Sequence, residues 1–211
     1  MRRGGGLVDL VAAAPDLLLG GMFFIAWVEP GLIGVDRIRD GLLLMLMEFI
    51  VIHSAAFMGT VAWGTAPAGR RARHVIGLGL FYTLFVAGFA LSFKSWWPLL
   101  GFWGLTLNRL LGALIGQGDG EEKQLVQRGW AATAVFYLVA VFTTVLIPYP
   151  RLGVTPEVLG TIDLPGSGAW IDTPWRVMAA GCLYFMACGV SELNRHHWFA
   201  AGKPGPVESA G

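Results

Sequence analysis

The sequence predicts an all-α fold, a polytopic integral membrane bundle of about six transmembrane helices. Of its 211 residues, 55% are hydrophobic and 14% are charged, whereas soluble domains contain about 25% charged residues. The mean hydropathy is +0.61, so most of the chain must lie in lipid or against other helices within lipid. Several of the nine tryptophans stand at the ends of apolar stretches, as in the aromatic belts of membrane interfaces.

Apolar stretches that approach the length of a membrane-spanning helix, about 20 residues, recur along the chain. They are 10–34, 41–63, 75–93, 97–116, 129–148 and 175–193. The first has the least defined limits, because Pro15 and Asp16 precede its most apolar part and Glu29 and Pro30 follow it. We interpret Asp16 and Glu29 as boundary residues. The pattern predicts one transmembrane domain over 1–201 and a disordered tail at 202–211.

Lys and Arg residues in the loops predict the orientation, because cytoplasmic loops are enriched in both. With a cytoplasmic N-terminus, nine of them fall on that side: Arg2, Arg3, Arg70, Arg71, Arg73, Lys123, Arg128, Arg195 and Lys203. Four fall on the other side, with Arg176 at the border: Arg37, Arg39, Lys94 and Arg151. The bias predicts that both termini are cytoplasmic.

Two of the predicted outer connections differ in character. The third and fourth stretches are joined by 94–96 alone, which predicts a tight hairpin turn. The longest connection, 149–174, contains prolines and glycines that interrupt helices. We interpret it as a connector, with a short lid over a cavity as the alternative.

No catalytic or cofactor motif occurs in the sequence, which has no Gly-rich phosphate loop, no HExxH and no CxxC. Cys182 and Cys188 stand six residues apart, which turns them about 240° from each other on a helix. We therefore interpret both as small apolar fillers. The candidates that remain are polar groups inside apolar stretches, where ionisable side chains are costly unless they face partners or water.

Glu48 and His53 share the second stretch, and a separation of five residues turns them about 140° apart. They cannot chelate one ion as neighbours one helical turn apart can. The functional interpretation is a proton or ion relay, or a polar pair that binds a substrate. The structural alternative is that each side chain bonds to a neighbouring helix and stabilises the bundle.

Asn108 and Arg109 lie in the fourth stretch. Arginine cannot lose its charge to escape burial, so Arg109 must pair with an acid, bind carbonyl groups or extend toward the headgroups. Glu48 is the most plausible acid within the membrane. We therefore predict that Glu48 and Arg109 are electrostatically coupled, directly or through water and His53.

Small residues at helical spacing predict how these two stretches meet, because they allow membrane helices to approach closely. One face of the fourth stretch combines Gly101, Gly104, Asn108, Gly112 and Gly116, and a patch of the second combines Ala55, Ala56 and Gly59. We expect the two faces to be in contact, which would bring Glu48 near Arg109.

A secondary candidate cluster lies at the end of the sixth stretch, where Glu192, Arg195 and His196 are spaced three and four residues apart. Together with His197 and His74, these residues could form a metal or haem-ligand set. One acid and two adjacent histidines are not a specific metal pattern, so a basic helix end at the headgroups is the favoured interpretation.

Three function classes remain open from the sequence. The first is a small transporter or channel-like protein that uses Glu48, His53, Asn108 and Arg109, and the second is an accessory subunit of a larger membrane complex. An intramembrane enzyme or haem protein is less favoured. The cofactor is unknown. The expected partners are the lipid bilayer and either further copies of the chain or a larger complex, while a net charge of +1 gives no attraction to nucleic acid.

Overall fold

The computed structural model describes residues 6–62, 64–115 and 120–194, and every regular element in these ranges is a helix. The helices are α1 Gly6–Val28, α2 Asp36–Ala62, α3 Ala68–Ser92, α4 Trp97–Ile115, α5 Gly120–Leu146, α6 Pro156–Leu159, α7 Ala169–Asp172 and α8 Pro174–Leu193. A 3-10 turn, Pro30–Leu32, joins α1 to α2. The predicted tail at 202–211 lies outside the described residues.

Five helices, α1, α2, α3, α5 and α8, are long and apolar enough to cross a membrane. The remaining long helix, α4, has 19 residues and contains Asn108 and Arg109, which lower its apolar character. It packs along α3 and α2. The predicted all-α membrane bundle of about six spans is therefore confirmed, and the helices indicate a multi-pass membrane protein.

Several helices extend beyond the predicted stretches. α3 begins at Ala68 rather than at 75, and α5 begins at Gly120 rather than at 129. The added turns carry Arg, Lys and Glu residues, which favour helix as well as apolar residues do. A hydropathy pattern detects only the part of a helix that lies in the hydrocarbon layer. The polar first turns of α3 and α5 are therefore not predicted from it.

α1 continues through Pro15 and Asp16, so the interpretation of Asp16 as a boundary residue is wrong. A proline removes one backbone hydrogen bond, which membrane helices tolerate when neighbouring helices pack against the site. Glu29 does follow the last residue of α1, Val28, as predicted.

α8 and α2 organise the packing. α8 lies against both α1 and α5, and α2 lies against α3, α4 and α8. The contact between α1 and α8 is close: a side chain at Gly181 would overlap the ring of Phe23, which stacks on Phe185 at 5.5 Å between centroids. The pair α3 and α4 therefore forms an outer hairpin that reaches the rest of the bundle through α2.

Arginines at the starts of helices bind backbone carbonyls at the ends of their neighbours. These bonds run from Arg39 to Phe93, from Arg71 to Ala113 at 2.9 Å and from Arg176 to Val145 at 3.4 Å. The C-terminal carbonyls of a helix lack partners within the helix and carry a partial negative charge. Each bond thus fixes an antiparallel pair: α2 with α3, α3 with α4, and α8 with α5.

These antiparallel pairs define two membrane faces. The first face is where α1, α3 and α5 begin and where α2, α4 and α8 end. The second face carries the opposite helix ends and the connections 29–35, 93–96 and 147–173. Which face is cytoplasmic stays a prediction.

The connections at the second face are ordered by specific contacts. Residues 94–96 form the predicted tight turn, with Lys94 at φ 51°. The long connection is joined to α1, because the Trp27 indole N–H donates to the Pro150 carbonyl at 2.9 Å and the Gly153 N–H donates to the Trp27 carbonyl at 3.1 Å. It also contains the short helices α6 and α7, so it is more structured than a simple connector.

Candidate functional site

Glu48 lies near the middle of α2, about 18 Å from its start and about 21 Å from its end by helical rise. The hydroxyl of Tyr184 on α8 donates a 2.9 Å hydrogen bond to Glu48 Oε2. Glu48 is partly buried, whereas Tyr184 is 3% exposed. The structure therefore places a carboxyl group with a buried tyrosine partner at the middle of the bundle.

Tyr137 on α5 holds Tyr184 in place. The two rings meet edge to face with centroids 5.5 Å apart, and Phe185 contacts the Tyr184 ring from another side at 4.7 Å. The Tyr137 hydroxyl donates to the Met45 carbonyl on α2 at 2.9 Å. Three helices thus converge on Glu48, and the direction of its hydrogen bond is fixed by packing.

Two more carboxyl groups lie between Glu48 and the first face. Asp16 on α1 is within electrostatic range of both Glu48 and Glu192. Asp16 stands about 15 Å from the start of α1 by helical rise, and Glu192 is one residue from the end of α8. The three acids are therefore staggered from the middle of the bundle toward the first face, each on a different helix.

No cation neutralises these acids among the residues that the structure describes. Within those residues, the one ion pair joins Arg37 to Asp40 at 2.8 Å, in an exposed position near the start of α2. Tyr184, a neutral donor, is the described hydrogen-bond partner of the Glu48 carboxyl. A carboxyl group in apolar surroundings without a fixed cation can exchange a proton at lower cost than it can carry a permanent charge.

Arg109 forms a separate polar contact. Its guanidinium donates to Ser54 Oγ on α2 at 3.0 Å and approaches Met58 Sδ at 3.6 Å. The direct form of the predicted coupling between Arg109 and Glu48 is absent from the described contacts. Ser54 follows Glu48 by six residues, which corresponds to about 9 Å of rise and about 240° of rotation. The two charges consequently face different neighbours.

His53 and Asn108 point outward rather than toward Glu48. His53 is exposed, its Nδ1 is 2.9 Å from the Phe49 carbonyl of its own helix, and its ring lies 4.1 Å from the Phe49 ring. Asn108 is exposed on α4. The sequence-predicted set of Glu48, His53, Asn108 and Arg109 is therefore spread over different surfaces of α2 and α4.

The secondary cluster falls only partly within the described residues. Glu192 is described and lies near Asp16, whereas Arg195 and His196 lie outside the described ranges. His74 is exposed, with its Nδ1 2.7 Å from the Arg70 carbonyl. Among the residues described, no group of three or more His, Cys, Asp or Glu side chains is arranged to hold a metal ion.

The predicted contact between small faces is wrong at Gly101, Gly104 and Gly59, and Gly116 lies outside the described residues. Gly101 and Gly104 on α4 are exposed, and a side chain added at either would meet nothing within 4 Å. On α2, Gly59 accommodates the ring of Trp130 on α5 rather than α4. Arg109 on α4, rather than Gly101 or Gly104, faces α2 and donates to Ser54.

A cavity of about 400 Å³ opens near the second face. Its walls come from α2, α3 and the end of the long connection: Leu46, Phe89, Ser92, Phe93 and 165–171. The segment 165–171 forms part of its wall, and the lid alternative for the long connection stays a prediction. Glu48, His53 and Arg109 do not line this cavity.

Sequence reasoning missed the two tyrosines and misplaced Asp16. Tyr137 and Tyr184 each stand inside an apolar stretch rather than at its end, where amphipathic tyrosines are usual. A buried tyrosine hydroxyl needs a partner. Two mid-stretch tyrosines together with one mid-stretch acid are therefore a signal that could have identified the site.

Comparison with known proteins finds no match: no family model, no curated protein and no solved structure aligns with this chain.

Proposed function

We propose that this chain is a small membrane transporter whose transport step takes up and releases a proton at Glu48. The observation that supports the proposal is the 2.9 Å hydrogen bond from the Tyr184 hydroxyl to Glu48 Oε2 at the middle of the bundle. Ionisable residues within membrane helices are rare because of their cost, and they commonly mark ion or proton pathways.

The hydrogen bond leaves a defined place for the proton. Tyr184 donates its own hydroxyl hydrogen to Oε2, and no described residue donates to Oε1. A proton can therefore bind at Oε1 while the contact with Tyr184 is kept. The packing of Tyr137 against Tyr184 keeps that contact in one geometry, so the loaded and unloaded states differ mainly in charge.

Asp16 and Glu192 support a route between Glu48 and the first face. By helical rise, Asp16 lies about 15 Å and Glu48 about 21 Å from the helix ends at the first face, and Glu192 lies close to the end of α8. Both are partly exposed, and Glu192 stands near the end of its helix, where a proton can reach water. Chains of acidic residues of this kind serve as proton relays in membrane pumps and transporters.

The test is potential-driven proton flux into liposomes that contain the purified protein and a pH-sensitive dye. The intact protein should raise the flux above that of empty liposomes, and Glu48→Gln, which keeps the shape and removes the titratable group, should return it to that level. Glu157→Gln is the matched control, because Glu157 lies in α6 outside the spans and a hydrogen bond with Thr155 lowers its pKa, so that it stays ionised.

A second measurement is needed if the transporter moves protons only together with an unidentified solute, because no flux would then be seen without that solute. Infrared difference spectra recorded during a pH titration should show one carboxyl band that is missing in Glu48→Gln. The absence of both this band and the flux would contradict the proposal, and an accessory subunit without its own transport step would then be favoured.

A further inference from the structure

The lipid-facing side of α4 carries a polar group at its centre. Gly101, Gly104 and Asn108 all fall within about 60° of one another on a helical projection, and all three are exposed. Asn108 is about 16 Å from the start of the 19-residue helix, near the middle of the membrane. This surface does not contact any other described helix at Gly101 or Gly104.

Asn108 differs from the other polar side chains of α4. Thr106 donates to the Phe102 carbonyl of its own helix at 2.9 Å, and Arg109 donates to Ser54 at 3.0 Å. The Asn108 amide has no hydrogen-bond partner among the described residues. Lipid chains offer neither donors nor acceptors, so an amide left in this position is unfavourable until another polar group reaches it.

We propose that α4 forms a dimer interface with α4 of a second copy of this chain, centred on Asn108. Copies inserted in the same membrane share one orientation, so a two-fold axis along the membrane normal brings each α4 residue opposite itself. An asparagine amide both donates and accepts, which allows the two Asn108 side chains to bond to each other.

Gly101 and Gly104 make such an approach sterically possible. Because neither has a side chain, the two α4 backbones can come close on the same surface that presents Asn108. The outward surface of α3 also contains glycines, Gly77 and Gly88, but α3 has no amide side chain. The amide, the small residues and the peripheral position of α4 therefore favour this helix as the point of contact.

Disulfide cross-linking in native membranes tests the interface. In a Cys182→Ala, Cys188→Ala background, Gly104→Cys should yield oxidised dimer several-fold more efficiently than Leu84→Cys. Leu84 is the matched control, because it is exposed on α3 and lies within the membrane span as well. Equal cross-linking at the two positions would overturn the proposal.

Energy transfer between fluorescently labelled copies in liposomes supplies an independent measurement. Asn108→Leu should weaken dimerisation about tenfold, whereas Asn108→Gln should retain it. Both variants should keep the melting temperature of the monomer in detergent, because Asn108 makes no described contact within the chain. Unchanged energy transfer for Asn108→Leu, or transfer no greater than for a monomeric membrane protein, would show that a second copy does not occupy this surface. Cross-linking to a different protein alone would count against it equally.

Discussion

Arg109 donates a 3.0 Å hydrogen bond to the Ser54 hydroxyl, six residues beyond Glu48 on the same helix. Ser54 is fully buried, and its hydroxyl donates a hydrogen bond to the Val51 carbonyl at 3.0 Å. The guanidinium charge is therefore accommodated by neutral oxygen and sulfur atoms of α2. This hydrogen bond connects α4 to α2, while the Glu48 carboxyl accepts its hydrogen bond from Tyr184 instead.

Ser54→Ala should destabilise the protein by about 1–2 kcal/mol, because it removes the acceptor of a partly buried guanidinium. Thermal unfolding in detergent measures the effect. Thr60→Ala on the same helix is the control, since Thr60 is exposed and bonds only to the Phe57 carbonyl of its own helix. Equal losses for the two variants would mean that Arg109 does not depend on Ser54.

Double-variant cycles should separate the two polar sites. Glu48→Gln and Arg109→Gln should have additive effects on the free energy of unfolding, to within about 0.5 kcal/mol, because the two side chains share no described partner. Glu48→Leu and Tyr184→Phe should instead show a coupling of about 0.5–1.5 kcal/mol, since each substitution removes one partner of the same hydrogen bond. Coupling between Glu48 and Arg109, with none between Glu48 and Tyr184, would instead support the coupling predicted from the sequence.

Gly59→Leu should destabilise the bundle by about 1–3 kcal/mol, because a side chain at this position overlaps the Trp130 ring and forces α2 and α5 apart. Gly77→Leu on α3 is the matched control, since a side chain there meets nothing within 4 Å. Its melting temperature should stay near that of the parent protein. A stable Gly59→Leu variant would remove the basis for this contact.

Arg71→Gln should lower stability more than Arg73→Gln. Arg71 donates to the carbonyls of Gly64 and Ala113 at 3.1 and 2.9 Å, whereas Arg73 is exposed. We expect a difference of about 1.5–3 kcal/mol, the range for hydrogen bonds to charged groups. Equal melting temperatures would indicate that Arg71 acts only as a loop charge.

The orientation can be tested by labelling introduced cysteines from one side of sealed vesicles, in a background without Cys182 and Cys188. Ala68→Cys at the first face and Ser167→Cys at the second should react from opposite sides, with Ala68 on the cytoplasmic side. Ser167 is preferable to its neighbour Gly166, whose φ of 85° disfavours other residues. Labelling of both from the same side would contradict the six-span topology.

The loop charges used to predict orientation have a second role that the sequence does not reveal. Arg39, Arg71 and Arg176 bind the carbonyl ends of neighbouring helices. A count of Lys and Arg treats every charge as a free headgroup contact. Without these three, the bias rests more strongly on exposed residues such as Arg70 and Arg73.

The candidate site was predictable only in part. Glu48 is identifiable from sequence because an acid within an apolar stretch is rare and costly. Its partner is not, since Tyr184 lies 136 residues away along the chain and the packing of α8 on α2 decides the contact. The predicted coupling to Arg109 is not made by direct contact, because charge complementarity says nothing about which way each helix is rotated.

The sequence by itself determined the solvent, the helical class and the approximate number of spans, because a chain with 55% hydrophobic residues and only 14% charged residues must satisfy its backbone internally within lipid. Tertiary structure alone decided the rotation of each helix about its axis. That rotation turned Glu48 toward Tyr184, Arg109 toward Ser54 and Asn108 toward the outer surface of the bundle. In a membrane helix nearly all residues are apolar, so the contrast between apolar and polar faces that orients helices in water is weak. Close packing at positions such as Gly181 and Gly59 sets the rotation instead, and these contacts exist only once the helices have met.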